Sequence, residues 1–218
     1  MDENIKQEIN LPDIIPIFPL DGVVMFPNTY LPLNIFEPRY LKMIDKAISS
    51  KSRLVGMIQP KNLNETDNKN TLYKVGCAGK IIKFEETVDK RYLITLEGKS
   101  RFDLISENIN DKNFREANIY WKNFSEDLEQ NVKLTDFSTL KTILKKYLKA
   151  QNIRANMNEI DSFNDHNFVD QITMICPLAN NEKQLLLETK SSTKRKELLQ
   201  AILDTHVSEA NFKNISKH

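Results

Sequence analysis

Ile15-Pro16-Ile17-Phe18-Pro19-Leu20-Asp21-Gly22-Val23-Val24-Met25-Phe26-Pro27, continued by Leu33-Asn34-Ile35-Phe36-Glu37-Pro38-Arg39-Tyr40, alternates apolar residues with prolines set where a chain must bend or stop pairing. Val23-Val24-Met25-Phe26 reads as a short buried strand bracketed by Pro19 and Pro27, because proline has no N–H to give to a sheet. Asp21-Gly22 is a turn signal. Ile35-Phe36 then runs into Glu37-Pro38. Pro38 suits the first position of a helix, where an N–H would be unpaired anyway. Beyond it Tyr40, Leu41, Ile44 and Ile48 fall at helical spacing and predict one apolar face.

Outward from this segment the period stays near two. Val55 and Met57 alternate with polar or small neighbours, Tyr73, Val75 and Cys77 begin another such run, and Tyr92, Ile94 and Leu96 form a third. Val88-Asp89-Lys90-Arg91 is the expected hairpin connection between the last two. Arg101 to Ile105 and Ala117-x-Ile119-x-Trp121 add two further strands. Many short strands with turns between them predict a small barrel or two packed sheets. Asn62 to Asn70 is polar and reads as a mobile hairpin loop.

Ser125 to Lys133, polar and acidic, reads as a linker between a unit over 12–124 and a second over 134–212. Past it the period changes to that of a helix. Phe137, Leu140, Leu144, Tyr147 and Leu148 share a face. Phe168, Ile172 and Ile175 mark a second helix that Pro177 ends. Asn181, with Gln184 three residues on, has the pattern of a helix cap. A last helix carries Leu198, Leu199, Ile202 and Leu203. Four helices with short connections predict a bundle, so the fold class is α+β: a β-rich pseudo-barrel followed by a helical bundle.

Three motifs in order resemble the N-terminal, substrate-binding domain family of the ATP-dependent protease Lon. The first is the opening segment, with its F-P-L, F-P and I-F-E-x-R-Y elements. The second is Tyr73-x-Val75-Gly76 followed by Tyr92-Leu93-Ile94-x-Leu96-x-Gly98-x-x-Arg101-Phe102, similar to the family's hairpin ending in G-x-x-R-F. The third is Glu182-Lys183-Gln184-Leu185-Leu186-Leu187-Glu188 with Arg195-x-x-Leu198-Leu199 after it. Together they cover roughly 12–205. The resemblance implies a PUA-like first half, a helical second half and a role in recruiting protein substrates. The sequence ends at His218, where Lon would continue into its ATPase and protease parts. A standalone, non-catalytic form is therefore the expectation.

Composition agrees with a small globular chain of 218 residues and formal net charge +1, which offers no bulk attraction to nucleic acid or anionic membrane. Cys77 and Cys176 lie far apart in apolar segments and read as buried reduced thiols. The polar, acidic start is not a signal peptide, and no apolar run nears the ~20 residues needed to cross a bilayer, so the cytoplasm is the expected compartment.

Readings as an enzyme fare badly. Gly76-Cys77-Ala78-Gly79-Lys80 lacks the spacing and the trailing Ser or Thr of a phosphate loop, and it lies within a strand pattern. His166, His206 and His218 show no metal-ligand spacing with one another, and no Cys-x-x-Cys occurs. No cofactor, metal or catalytic residue is expected.

Glu37 and Arg101 both sit in apolar surroundings. An ion pair between them, tying helix to barrel, is preferred over a contact point for bound peptide. As candidates for protein binding we carry Phe36, Glu37, Arg39, Tyr40 and Arg101. Phe26, Phe36, Tyr40 and Trp121, as large apolar groups, read as core before binding surface, and Lys194-Arg195-Lys196 as a solvated helix face. The expected partners are unfolded or extended polypeptides, held or passed to a protease or chaperone. The expected capture surface is exposed apolar area, with the seam between the halves as a candidate place. RNA binding, which PUA-like barrels perform elsewhere, is the alternative, disfavoured by the neutral charge and the lack of an aromatic and basic stripe.

Overall fold

The structure, a computed structural model, describes residues 11–61, 71–128, 136–162 and 167–215. It is α+β, with a six-stranded mixed sheet curled into a near-barrel and helices following it. The strands are β1 (Ile14–Pro19), β2 (Tyr30–Ile35), β3 (Leu54–Ile58), β4 (Val75–Glu86), β5 (Tyr92–Ile109) and β6 (Arg115–Tyr120), with α1 (Pro38–Ser49) between β2 and β3. The order is β2-β5-β4-β3-β1-β6, and β6 returns to pair with β5, which closes the ring. Only β1 and β3 run parallel; the other pairings are antiparallel.

β5 makes this closure possible. It is one 18-residue strand, so the predicted separate strand over Arg101–Ile105 is its second half. Its first half pairs with β2 and its second with β6, while β4 follows it from Val75 to Glu86. Irregularities in register at Ala78/Gly79, Ile81/Lys83 and Leu104/Ser106 bend the long strands around the ring.

Alternation then sorts the side chains. Ile15, Ile17, Leu54, Ile58, Ala78, Phe102, Ala117 and Ile119, from five strands, fill the inside. The other face, with Phe18, Val55, Met57, Cys77, Ile94 and Leu96, packs under α1 and the later helices. α1 contributes Tyr40, Met43, Ile44 and Ala47, one stripe at i, i+3, i+4 and i+7. Pro38 stands in its first turn as expected.

Val23–Phe26 is not a strand. Val24, Met25 and Phe26 are buried, but the segment pairs with no ladder and plugs the space between sheet and helices. Continuous apolar character reported burial there and could not report pairing. The predicted hairpin connection is present: Thr87 N–H donates to Arg91 O at 2.9 Å. The expected loop over Asn62–Asn70 lies outside the described residues.

After β6 a 3-10 helix covers Lys122–Leu128, so the first residues of the expected linker are ordered against β5. The helices that follow are α2 (Ser138–Ala150), α3 (Met157–Ser162), α4 (Phe168–Ile175), α5 (Asn180–Glu188) and α6 (Ser192–Ile215). The short α3 carries no buried residue, which is why no periodicity announced it. α5 starts earlier than expected: Ala179 N–H donates to the Glu182 carboxylate at 2.8 Å, so Glu182 and not Gln184 reaches back to cap the helix start, with no side-chain cap from Ala179. Ile175, expected on the apolar face of α4, is exposed. No helix among the described residues is long and apolar enough to cross a membrane.

Candidate functional site

The three motifs converge on the seam between sheet and helices, and their residues there are occupied with one another. In Gly98-x-x-Arg101-Phe102 each residue type follows from what it touches. A Cβ on Gly98 would stand 1.9 Å from the carbonyl oxygen of Phe26, so only glycine lets that turn lie against β5. Phe102 points into the ring, where it needs the absence of a side chain at Gly76, whose Cβ would lie 2.5 Å from its ring. Arg101, next in line and so on the other face, points at the helices.

Arg101 is 3% exposed. Its guanidinium donates to both carboxylate oxygens of Asp127 at 2.9 and 2.7 Å, and Nη1 donates to Leu187 O at 3.0 Å and Thr189 O at 2.8 Å. The ring of Phe124 lies 4.6 Å from the guanidinium carbon. The expected Glu37–Arg101 pair is therefore corrected. Glu37 pairs instead with Arg39 at 2.9 Å on an exposed surface, and the buried carboxylate is Asp127, from the segment expected to be a linker. The pair ties β5 to the 3-10 helix after β6 and not to α1, and it is the bonds from Nη1 to Leu187 O and Thr189 O that reach the end of α5.

Arg195 is its counterpart within the helical half, joining α6 to α4 and the end of α5. It is buried, donates to Asp170 at 2.8 and 3.0 Å, to Leu186 O and to Thr189 O, and lies over Phe26. The expected solvated face of Lys194-Arg195-Lys196 is thus wrong for its central residue. A charge run on a helix hides an inward arginine because sequence shows the run and not the angle. In α5, Lys183 Nζ donates to Gly22 O at 3.0 Å and Met174 O at 3.3 Å, and Gln184 Nε2 donates to Val75 O at 3.1 Å while its Oε1 accepts from Gln59. Burial lowers the Lys183 pKa, in keeping with its having two carbonyl partners and no carboxylate. Burial also pushes the Cys176 thiol up to about 11 and the Cys77 thiol well above its ordinary value, so both are inert thiols at neutral pH.

With its charged groups paired and its apolar groups buried, the seam offers little to a ligand, although the buried Gln59 Oε1 there accepts no hydrogen bond among the described residues. Gly76 to Lys80 is strand, paired with β3 and β5 with one register irregularity at Ala78/Gly79. The exposed apolar surface lies elsewhere, at the end of the near-barrel where the β2–α1 turn meets the β4–β5 hairpin. Phe36 is 62% exposed there, with Arg91 of the hairpin 5.8 Å from its ring, and Glu37 and Arg39 lie beside it. Phe84 of β4 is 46% exposed and packs edge-on against Tyr92 at 4.9 Å. Val88 stands at the hairpin tip, and Leu93, opposite Glu85 in the ladder, is exposed on the other face of the hairpin from Phe84 and Tyr92.

Of the five candidate residues, then, Phe36, Glu37 and Arg39 stand together in solvent. Tyr40 is turned into the core against Phe18, at 4.3 Å between rings, and Arg101 is in the seam. Phe84, Val88 and Leu93 are further exposed apolar residues at this end of the sheet and were missed. A hairpin reaching past the ring has the same alternation as one inside it.

A family model described as the ATP-dependent protease La (LON) substrate-binding domain matches residues 14–205. The chain belongs to the Lon substrate-binding domain family. Among curated relatives, the Lon protease of Cytophaga hutchinsonii is 25% identical over 93% of this chain and 25% of its own length. That of Parabacteroides distasonis is 34% identical over 48% of this chain and 13% of its own. The chain thus spans about a quarter or less of the Lon proteases it matches. Two solved Lon N-terminal domains share the fold. The one from the Mycobacterium avium complex has a TM-score of 0.62 at 16% identity, covering 88% of this chain and 99% of that domain. The one from Xanthomonas campestris has a TM-score of 0.61 at 20% identity, covering 86% and 97%.

Proposed function

We propose that this chain is a non-catalytic protein-binding module that takes hold of unfolded or extended polypeptide. The surface that does so is the end of the near-barrel carrying Phe36, Glu37, Arg39, Phe84, Val88 and Leu93. The observation that supports the reading is that solvent-facing aromatic and aliphatic side chains occur on both faces of one end of the near-barrel, in a member of a substrate-binding family whose seam is largely filled by its own side chains. Apolar capture is non-directional, so selectivity among clients is low. Arg39 and Arg91 lie against Tyr40 and Phe36, so their stems add to the apolar area while their charges stay wet. A protease or chaperone receiving such clients fits the same reading, as does action in the cytoplasm.

The test is fluorescence anisotropy with labelled unfolded casein and a labelled RNA oligomer, each across a salt series. Casein binding is expected to persist or strengthen as salt rises, and Phe36→Asp to weaken it about fivefold or more with no change in the thermal midpoint. RNA binding that collapses with salt, together with no casein binding, would replace the proposal by the RNA-binding alternative.

A further inference from the structure

The β4–β5 hairpin leaves one strand edge open. β3 pairs with β4 only as far as Lys80, opposite Leu54, and β4 continues to Glu86 with β5 as its one sheet neighbour among the described residues. Ile82, Lys83, Phe84, Glu85 and Glu86 are all exposed. The hydrogen-bond parity of this edge follows from the register. Thr87 N–H donates to Arg91 O, so Thr87, and with it Glu85 and Lys83 at period two, turn their peptide groups toward β5. Phe84 and Glu86, of opposite parity, turn their N–H and C=O outward.

At the other end of the sheet, β2 is also terminal, but it is blunted. Gly98 N–H donates to Thr29 O, so Thr29, Leu31, Leu33 and Ile35 bond to β5 and Pro32 faces outward. An outward proline has no donor for an added strand. One edge is closed to strand addition and the other carries no proline, with Ile82 (42% exposed) and Phe84 to receive side chains.

We propose that the Ile82–Glu86 edge of β4 is the main-chain docking site, and that its occupant is an extended polypeptide segment added as a further strand, with apolar residues at alternate positions. This rests on the polypeptide-binding reading and specifies its mode. Hydrogen bonds to Phe84 and Glu86 supply affinity without regard to side chains, and Ile82, Phe84 and the neighbouring Tyr92 favour apolar ones. A second copy of this chain is the weaker fit, because an edge of five residues offers far less than the ~1,200 Å² of total area that stable interfaces bury. Lys83, Lys90 and Arg91 stand among Glu85, Glu86 and Asp89, with Lys90–Glu86 and Arg91–Asp89 paired, so the edge repels neither sign of charge.

The experiment measures anisotropy of a fluorescein-labelled decapeptide of alternating valine and threonine with lysine ends, and of the same peptide N-methylated at every residue, which leaves no main-chain donor on either of its edges. Phe84→Pro and Glu86→Pro remove an outward donor and leave the bonds to β5 in place; Phe84→Ala removes the side chain and keeps the donor. The result expected is a loss of about tenfold or more in affinity for either proline variant, a smaller loss for Phe84→Ala, and no binding of the methylated peptide, with circular dichroism unchanged. Equal binding of the methylated peptide, or wild-type affinity in both proline variants, would overturn the edge while leaving polypeptide binding standing. Failure of the wild-type chain to bind either casein or the peptide would overturn both readings. A concentration-dependent dimer in sedimentation, abolished by Phe84→Pro and unaccompanied by peptide binding, would assign the edge to a second copy instead.

Discussion

At the scale of the residue, Arg101 is the most consequential side chain. It satisfies one carboxylate and two main-chain carbonyls with donors that are fixed in a plane. Replacement by methionine leaves Asp127 buried and charged without its partner, and about 3–5 kcal/mol of stability is expected to be lost. Lysine will not restore it, because a point charge cannot span the Asp127 oxygens and the Leu187 and Thr189 carbonyls together. Urea denaturation of Arg101→Met and Arg101→Lys checks this, and midpoints equal to the wild type for both would refute the assignment. The residue type and its neighbours Gly98 and Phe102 were legible as a motif. The partner was not, because Asp127 lies in a polar, acidic stretch that looks like any linker.

At the scale of the element, α2 and α6 pack through Tyr147, which is buried against His206 with ring centroids 5.9 Å apart. Burial pushes the Tyr147 phenol up to about 12 from its usual 10.0. Between those values the unfolded chain releases this proton and the native one keeps it. The native state then binds more protons, so stability falls as pH rises from about 10 toward 12. Tyr147→Phe is expected to flatten that alkaline decline in a series of denaturation midpoints while leaving the slope near neutral pH alone. An unchanged alkaline limb would mean the phenol finds its proton elsewhere. Helix existence and the face of α2 followed from apolar spacing, and that of α1 in part, since Met43 and Ala47 complete its buried stripe while Leu41 and Ile48 lie at its margin. The start of α5 and the presence of α3 did not, because capping by Glu182 depends on local geometry and α3 has no buried side to repeat.

At the scale of the whole molecule, one cluster of buried side chains runs from Phe18 and Met57 of the sheet through α1 to Leu140, Tyr147, Leu199 and Leu203. Arg101 joins the sheet to the end of α5, and the Arg195–Asp170 pair joins α6 to α4 beside it. A division at 12–124 and 134–212 is proposed as one of sequence and secondary structure, with unfolding shared. Trp121, at the end of β6, reports the sheet, and far-ultraviolet dichroism at 222 nm reports the helices. Their thermal transitions are expected to coincide. Two separated transitions would show that the halves fold independently.

The amino-acid sequence alone determined the α+β class, the period-two and helical segments and the family, because each rests on local periodicity or on motif residues in order. Tertiary structure decided which residues of those motifs are buried. Phe26 and Phe36 sit in similar apolar runs, yet one lies under Arg195 and the other in solvent. The reason is geometric: β4 and β5 extend beyond the last pairing of β3, so the same alternation that fills the ring is left uncovered at the hairpin. Where a strand runs past its neighbours is a property of the register between distant segments, and that is set only when the sheet closes.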